Sequence, residues 1–206
     1  MLFRSILSPL VQQKRRLLNK SFSITSGQED QLLRSLRSQE IDLVLTNKPV
    51  YAEDVQELAA VEMPVRLIIA NQSLRNYKIR ISRNTKIEEF LTVSPLGLIL
   101  PSNKMKLRHE TDIFMQDIKT RKRVVMESDI LSVVGRAVID GAGIAFLPVP
   151  YLYEEIKMGL VSTIGPKVGY WQHMLYLIAR KESRYDEAIE EVRKNVIALG
   201  KGPQYG

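Results

Sequence analysis

The sequence predicts an α/β protein of two lobes. Three observations carry this expectation. Short apolar runs alternate along the chain with stretches of helical period, the pattern of βαβ units. Two longer apolar runs, 65–70 (VRLIIA) and 174–179 (MLYLIA), flank a middle block with strands and helices of its own. In 127–150 (ESDILSVVGRAVIDGAGIAFLPVP), an amphipathic run stops at Gly141-Ala142-Gly143 before the all-apolar Ile144-Ala145-Phe146-Leu147. Glycine is the least strained residue at a left-handed helix end. An all-apolar run bounded by Gly and Pro suits a strand buried on both faces. Lobe I is therefore 1–69 with 174–206, and lobe II is the inserted 70–173. A ligand cleft is expected between the lobes, at the C-terminal ends of strands.

Taken in order, 2–18 reads as a helix kinked at Pro9. Phe22 and Ile24 alternate with small polar residues as a half-buried strand, and Ser26-Gly27 makes the turn. A helix over 28–39 puts Leu32, Leu33 and Leu36 on one face, and 41–45 (IDLVL) is the next strand, ending at Thr46-Asn47. Strand, helix, strand implies parallel pairing through a right-handed crossover. Residues 58–61 and 65–70 read as two strands separated by Met63-Pro64, followed by a polar stretch over 71–84. A short helix at 85–91, capped by Asn84, leads to the strand 96–100 (LGLIL), closed by Pro101-Ser102-Asn103. Residues 105–118 are helical and 124–126 form a strand. Ser128 and Asp129 then stand as N-cap residues of the helix that ends at Gly141. Beyond Pro150 come a helix at 151–157, strands at 160–164 and 174–179, and a terminal helix at 184–199. That last helix turns Ala188, Ile189, Val192, Val196 and Leu199 inward, and 200–206 is a frayed tail.

Composition narrows the function. The chain has 206 residues, 45% hydrophobic and 26% charged, as in an ordinary globular protein. No apolar run nears the roughly 18 residues of a membrane span, and the N-terminus lacks the layout of a secretory leader. A cytoplasmic protein with no membrane partner is expected. The absence of cysteine excludes disulfides and thiolate ligands. A net charge of +7 favours an anionic ligand or an acidic partner. The basic clusters Lys14-Arg15-Arg16 and 119–123 (KTRKR) lack interleaved aromatic residues and read as solvated surface. His109 and His173 lie apart without metal-ligand spacing, and no P-loop or nucleophile elbow is present. Gly141-Ala142-Gly143 follows a helix and precedes a strand, the reverse of a dinucleotide fingerprint. Trp171 reads as a packing residue. No catalytic residue, metal ligand or cofactor is expected.

Three segments taken together are more specific than any of these signals. They are LLRSLRSQEIDLVLTN, ILPSNKMKLR, and the ESDIL helix running through GAGIAFLP to GLVSTIG. In this order and spacing they resemble the effector-binding domain of LysR-type transcriptional regulators. From ESDIL to about Tyr176 the chain is most similar to the branch that activates sodium/proton antiporter genes. The resemblance implies a periplasmic-binding-protein type II-like fold, with a cleft between two Rossmann-like lobes and no enzymatic activity. It implies a small-molecule or ion effector and a homodimer or tetramer in which the first helix meets the partner's other lobe. DNA would be bound only through the family's N-terminal winged helix-turn-helix, which has no counterpart in this sequence. Such effector domains also begin with a glycine-containing strand, whereas this chain begins inside the helix that follows it.

Mapped onto this sequence, the resemblance places effector-binding residues at strand-to-helix corners. They are Thr25 and Ser26, Thr46 and Asn47, Ser102 and Asn103, and Glu127, Ser128 and Asp129, with Pro148 as a wall. Each has a plain structural alternative: Ser128 and Asp129 as helix caps, Thr46-Asn47 as a strand end, Ser102-Asn103 as a turn. Glu127 and Asp129 would repel an anion, which keeps a cation or an amino compound open. A free-standing solute-binding protein and an enzyme of the same fold are the rival readings.

Overall fold

The computed structural model describes residues 23–82, 84–182 and 187–201. The helix expected at 2–18, Phe22 and the tail beyond Lys201 lie outside the described residues. The elements are α1 (Glu29–Arg37), β1 (Leu43–Thr46), β2 (Val55–Ala70), α2 (Asn71–Asn76), α3 (Ile87–Val93), β3 (Leu98–Pro101) and α4 (Lys106–Asp117). They continue with β4 (Val124–Ser128), α5 (Leu131–Ile139), β5 (Ala145–Pro148), a 3-10 turn (Val149–Leu152), α6 (Tyr153–Lys157), β6 (Val161–Ile164), β7 (Trp171–Arg180) and α7 (Glu187–Lys201). The chain forms two compact units. A central unit spans Pro64–His173; a terminal unit combines the described residues up to Met63 with those from Met174 onward.

In the central unit β3 and β4 pair in parallel, with Pro101 opposite Ser128. On its other side β3 meets the chain entering β5: Ile99 N donates to Ile144 O at 2.8 Å, and Ile144 N to Gly97 O at 3.0 Å. This approach requires glycine. A Cβ on Gly143 would stand 2.6 Å from Gly97 O. β2 pairs antiparallel with β5 (Val65 opposite Pro148) and with β6 (Leu67 opposite Ile164). The core joins these strands to the inner faces of the helices through Ile68, Phe90, Leu91, Ile99, Val134, Val138 and Phe146, all 4% exposed or less. Burial of this kind contributes about 1.5–3 kcal/mol per large side chain.

The terminal unit packs Leu33 and Leu36 of α1 against Val44, Val55 and Ile178. β1 pairs antiparallel with β7, Leu43 opposite Ala179 and Thr46 opposite Tyr176. Arg180 Nη1 donates to Leu36 O at 2.7 Å and to Ile41 O at 2.8 Å, tying β7 to the end of α1 and to the chain that follows it. Val192 and Val196 are the buried residues of α7.

Several expectations are corrected. Among the described residues the partner of β1 is β7, in the opposite sense, and the parallel pairing expected for the first strand-helix-strand segment is not found there. Ile24 is 51% exposed and lies in no strand. The two strands expected around Met63-Pro64 are one strand of 16 residues. Proline weakens a strand only where its missing N–H would have served the ladder. The polar stretch after Ala70 contains α2. Lys86, not Asn84, precedes α3, and it provides no side-chain cap.

Helices α1, α2, α4, α5 and α6 all close in the same way. At α5, Gly141 (φ 81°) donates its N–H to Val138 O and Ala142 to Ala137 O, both at 3.0 Å. This six-residue closure needs a left-handed residue one place past the cap. Gly141 and Gly159 supply it at α5 and α6, but Gln39, Lys78 and Lys119 hold the equivalent positions at α1, α2 and α4, with φ of 65°, 52° and 49°. A side chain there costs about 1–2 kcal/mol. Replacing the exposed Lys78 by glycine is therefore expected to stabilise the chain by about 0.5–1 kcal/mol, net of glycine's larger unfolded-state entropy. Urea unfolding checks this; a lower midpoint would show that Lys78 makes a compensating contact.

Candidate functional site

Parallel pairing brings the C-terminal ends of β3 and β4 to one edge of the central unit, and Ser102 and Ser128 meet there. Ser102 N donates to Ser128 O at 2.8 Å, while Met105 N donates back to Ser102 O at 3.0 Å. The Ser102 hydroxyl is buried and has no hydrogen-bond partner. Ser128 closes β4, and its Oγ accepts the N–H of Ile130 at 3.1 Å. It is not the helix cap expected from the sequence, since α5 starts at Leu131 after Ile130 and carries no side-chain cap. A serine bonded to the amide two residues on makes a turn of its own, and the helix begins beyond it. Asn103 and Asp129 are exposed beside this edge, and Pro148 is buried opposite Val65.

Arg108, in the first turn of α4, ties the edge together. Its Nη1 donates to Pro101 O at 3.2 Å and to Glu127 Oε1 at 2.7 Å, and its Nε to both Asp112 oxygens at 3.0 Å. Burial alone would lower this guanidinium; the hydrogen bonds from Asp112 and Glu127 outweigh it and raise the group further. Arg108 sets one positive charge against the two negative charges of Asp112 and Glu127, and Asp129 is exposed beside them, so the acidic character expected of this edge is reduced but not removed. Met105 precedes α4 without a side-chain cap, and its carbonyl accepts the N–H of Arg108 at 3.1 Å.

The other predicted residues lie in the terminal unit. Thr46 is 8% exposed; its Oγ1 donates to Glu29 Oε2 at 3.1 Å and accepts from Lys48 N at 3.2 Å. Asn47 Nδ2 donates to Met174 O at 3.1 Å. Both side chains join β1 to its neighbours in that unit. Thr25 and Ser26 are exposed in the stretch before α1, with no strand ahead of them among the described residues.

Sequence reasoning missed one cluster. Glu110, on α4, accepts from Trp171 Nε1 at 3.1 Å and stands 2.6 Å from Nδ1 of His173, whose side chain is 2% exposed. Lys106 Nζ lies 3.8 Å from the other carboxylate oxygen. Burial would raise Glu110, yet the hydrogen bonds and charges of His173, Trp171 and Lys106 leave it below its ordinary value. Trp171 also packs against Phe114 and Phe146, with ring centroids 5.2 and 5.5 Å away, so it is an anchored residue as well as a packing one. Beside it the Tyr170 hydroxyl is buried, and burial raises it to about 12. Nothing in local spacing signals a pair that sits 63 residues apart. Among the described residues no three His, Asp or Glu side chains converge to hold a metal, and no helix is long and apolar enough to cross a membrane.

Removing the Glu110 charge isolates what this cluster does. A carboxylate held below its unfolded value of 4.5 stabilises the fold above that pH, and the contribution is lost as the pH falls through the folded value. Glu110→Gln is expected to destabilise the chain by about 1–3 kcal/mol at neutral pH. The gap between variant and wild type in urea midpoint should narrow in acid. A gap independent of pH would remove the carboxylate from the explanation.

Comparison with known proteins bears on this arrangement. A family model described as the LysR substrate binding domain matches residues 3–199. No match is found among curated proteins. The apo regulatory domain of HypT from Salmonella typhimurium aligns with TM-score 0.67 at 16% identity, covering 95% of this chain and 88% of that one. The effector binding domain of QuiR in complex with shikimate aligns with TM-score 0.60 at 16% identity, covering 95% and 90%. CbnR, a LysR family transcriptional regulator, aligns with TM-score 0.64 at 14% identity, covering 95% of this chain and 65% of that one. At these identities the likeness speaks for the fold, which is of the periplasmic-binding-protein type II kind.

Proposed function

The chain belongs to the LysR substrate-binding domain family, and from that premise we propose that it is the ligand-sensing part of a LysR-type transcriptional regulator. Its role is to bind a small effector, without turning it over. The observation that carries the site is the Ser102 hydroxyl, buried and without a partner at the C-terminal end of β3. A buried polar group left unpaired costs about 1–3 kcal/mol, and an effector that bonds to it relieves that cost. Ser128 stands at the same edge and offers a further polar contact. Arg108 offsets only one of the two carboxylates it binds, so a neutral polar molecule, a zwitterion or a cation suits this edge better than an anion.

The chemistry of this edge supports binding over turnover. His173 is engaged with Glu110, and neither Ser102 nor Ser128 has a histidine or carboxylate among its hydrogen-bond partners. A bound effector acts by its differential affinity for two states of the domain. In the intact cytoplasmic regulator that preference passes through the oligomer to DNA-binding parts outside the described residues.

A homodimer is supported by the outer edge of β4 in the central unit, a strip with exposed apolar side chains near it. Val124 and Val125 on β4 and Ile130 and Val133 around the start of α5 are between 38% and 55% exposed. β4 pairs only with β3 among the described strands, so its outer edge is open. An open strand edge invites association, and exposed apolar side chains near it add to that.

Two experiments test these readings. A thermal-shift screen of metabolites on the wild-type chain is expected to find a ligand that raises the midpoint. Ser102→Ala should leave the unliganded midpoint unchanged or higher, while weakening that ligand roughly 3- to 10-fold. Equal ligand stabilisation of variant and wild type would remove Ser102 from the site. Analytical ultracentrifugation is expected to show a dimer that Val125→Glu converts to monomer; a monomeric wild type would rule out the strip as an interface.

A further inference from the structure

The basic run 119–123, which reads as solvated surface in the sequence, helps to line a groove of about 320 Å³ in the central unit. The groove lies at the N-terminal ends of β3 and β4, the edge opposite Ser102 and Ser128. Leu91, Pro95 and Leu96 form its apolar wall, and four cations, Lys119, Arg121, Lys122 and Arg123, stand around it with no acidic residue in the lining. We propose that this groove is a second binding site, for a small organic anion in which a carboxylate or phosphate group is attached to an apolar body.

The groove is built, and Lys122 is the residue that builds it. Its ammonium is half-buried and donates to Leu91 O at 2.6 Å and to Ser94 O, capping the carbonyl end of α3. That anchors the basic segment against the apolar wall. Exposure then alternates: Thr120 and Lys122 are turned inward, while Lys119, Arg121 and Arg123 face out. Arg121 and Arg123, two residues apart and both exposed, both line the groove. Neither they nor Lys119 has a hydrogen bond or ion pair from its side chain among the described residues.

The other polar groups of the lining are already engaged. Thr92 donates its hydroxyl to Glu88 O at 2.8 Å and Thr120 to Ile118 O at 3.0 Å. The anion must therefore be held by the two arginines and Lys119, with its apolar body on Leu91, Pro95 and Leu96. A guanidinium binds carboxylate or phosphate through paired hydrogen bonds. The volume falls at the small end for ligand sites. A nucleic-acid strand suits it less, because no aromatic residue lines the groove to stack a base and a phosphate backbone would leave the apolar wall bare.

Phenyl phosphate is the probe, titrated into the chain and followed by amide NMR shifts. Saturable shifts are expected at Thr92, Gly97 and the amides of 120–123. The double variant Arg121→Ala/Arg123→Ala should bind the probe roughly tenfold more weakly or worse, with an unchanged thermal midpoint because both side chains are exposed. Ser102→Ala should bind it as wild type does, which separates this site from the effector site. Shifts that are absent, or that centre on Ser102 and Ser128, overturn the proposal. Inorganic phosphate binding as tightly as phenyl phosphate overturns it too, since the apolar wall would then take no part. The same holds if random-sequence duplex DNA moves these amides and phenyl phosphate does not.

Discussion

The central unit depends on how closely β3 can approach the chain entering β5. Gly97 and Gly143 set that distance. A side chain at Gly143 would meet Gly97 O at 2.6 Å, and one at Gly97 would meet Arg123 O at 2.8 Å. With both absent, Gly97, Ile99 and Ile144 exchange backbone hydrogen bonds of 2.8 and 3.0 Å, and β4 falls into register on the far side of β3. The parallel strands then end at a common level. Only for that reason do Ser102 and Ser128 touch, and only for that reason do the opposite ends frame a groove. Backbone proximity here sets the chemistry of both edges.

Those two edges differ in electrostatics, although the same strands build them. At the C-terminal edge, Arg108 binds two carboxylates and a carbonyl, and negative charge is left in excess. At the N-terminal edge, Lys122 bonds to carbonyl oxygens alone, so its charge and those of its neighbours stay uncompensated. Burial lowers the Lys122 ammonium below the ordinary lysine value. A net charge of +7 for the chain says nothing of this contrast.

Much of the fold was legible because apolar period and glycine position are local properties. The run from Val134 to Leu147 shows it: helix face, left-handed Gly141 and buried strand are all present in the order expected. What was not legible depends on partners distant in sequence. Ile24 alternates as a strand residue should, yet in the described residues it has no strand to join. Met63-Pro64 looked like a break because nothing local shows which N–H groups the ladder needs. The site was legible as a set of corners and less so as chemistry. Ser102 and Ser128 were named, but the partnerless state of one hydroxyl and the engaged state of the other follow from tertiary packing. The Glu110–His173 pair lay wholly outside local pattern.

The way the two units are threaded has a consequence for how the chain is made. Every buried residue of the central core comes from one continuous stretch, Val65 to Ile164. The terminal unit has no such independence: Leu43 finds its strand partner only at Ala179, and Val44 packs with Ile178. Closing so long a loop before any contact repays it is entropically costly. On a ribosome, α1 and β1 emerge before the central unit and wait, with their apolar faces uncovered, until β7 is synthesised. The central unit folds in the meantime and brings the ends of that loop within reach. A segment made before the central unit is thus completed after it.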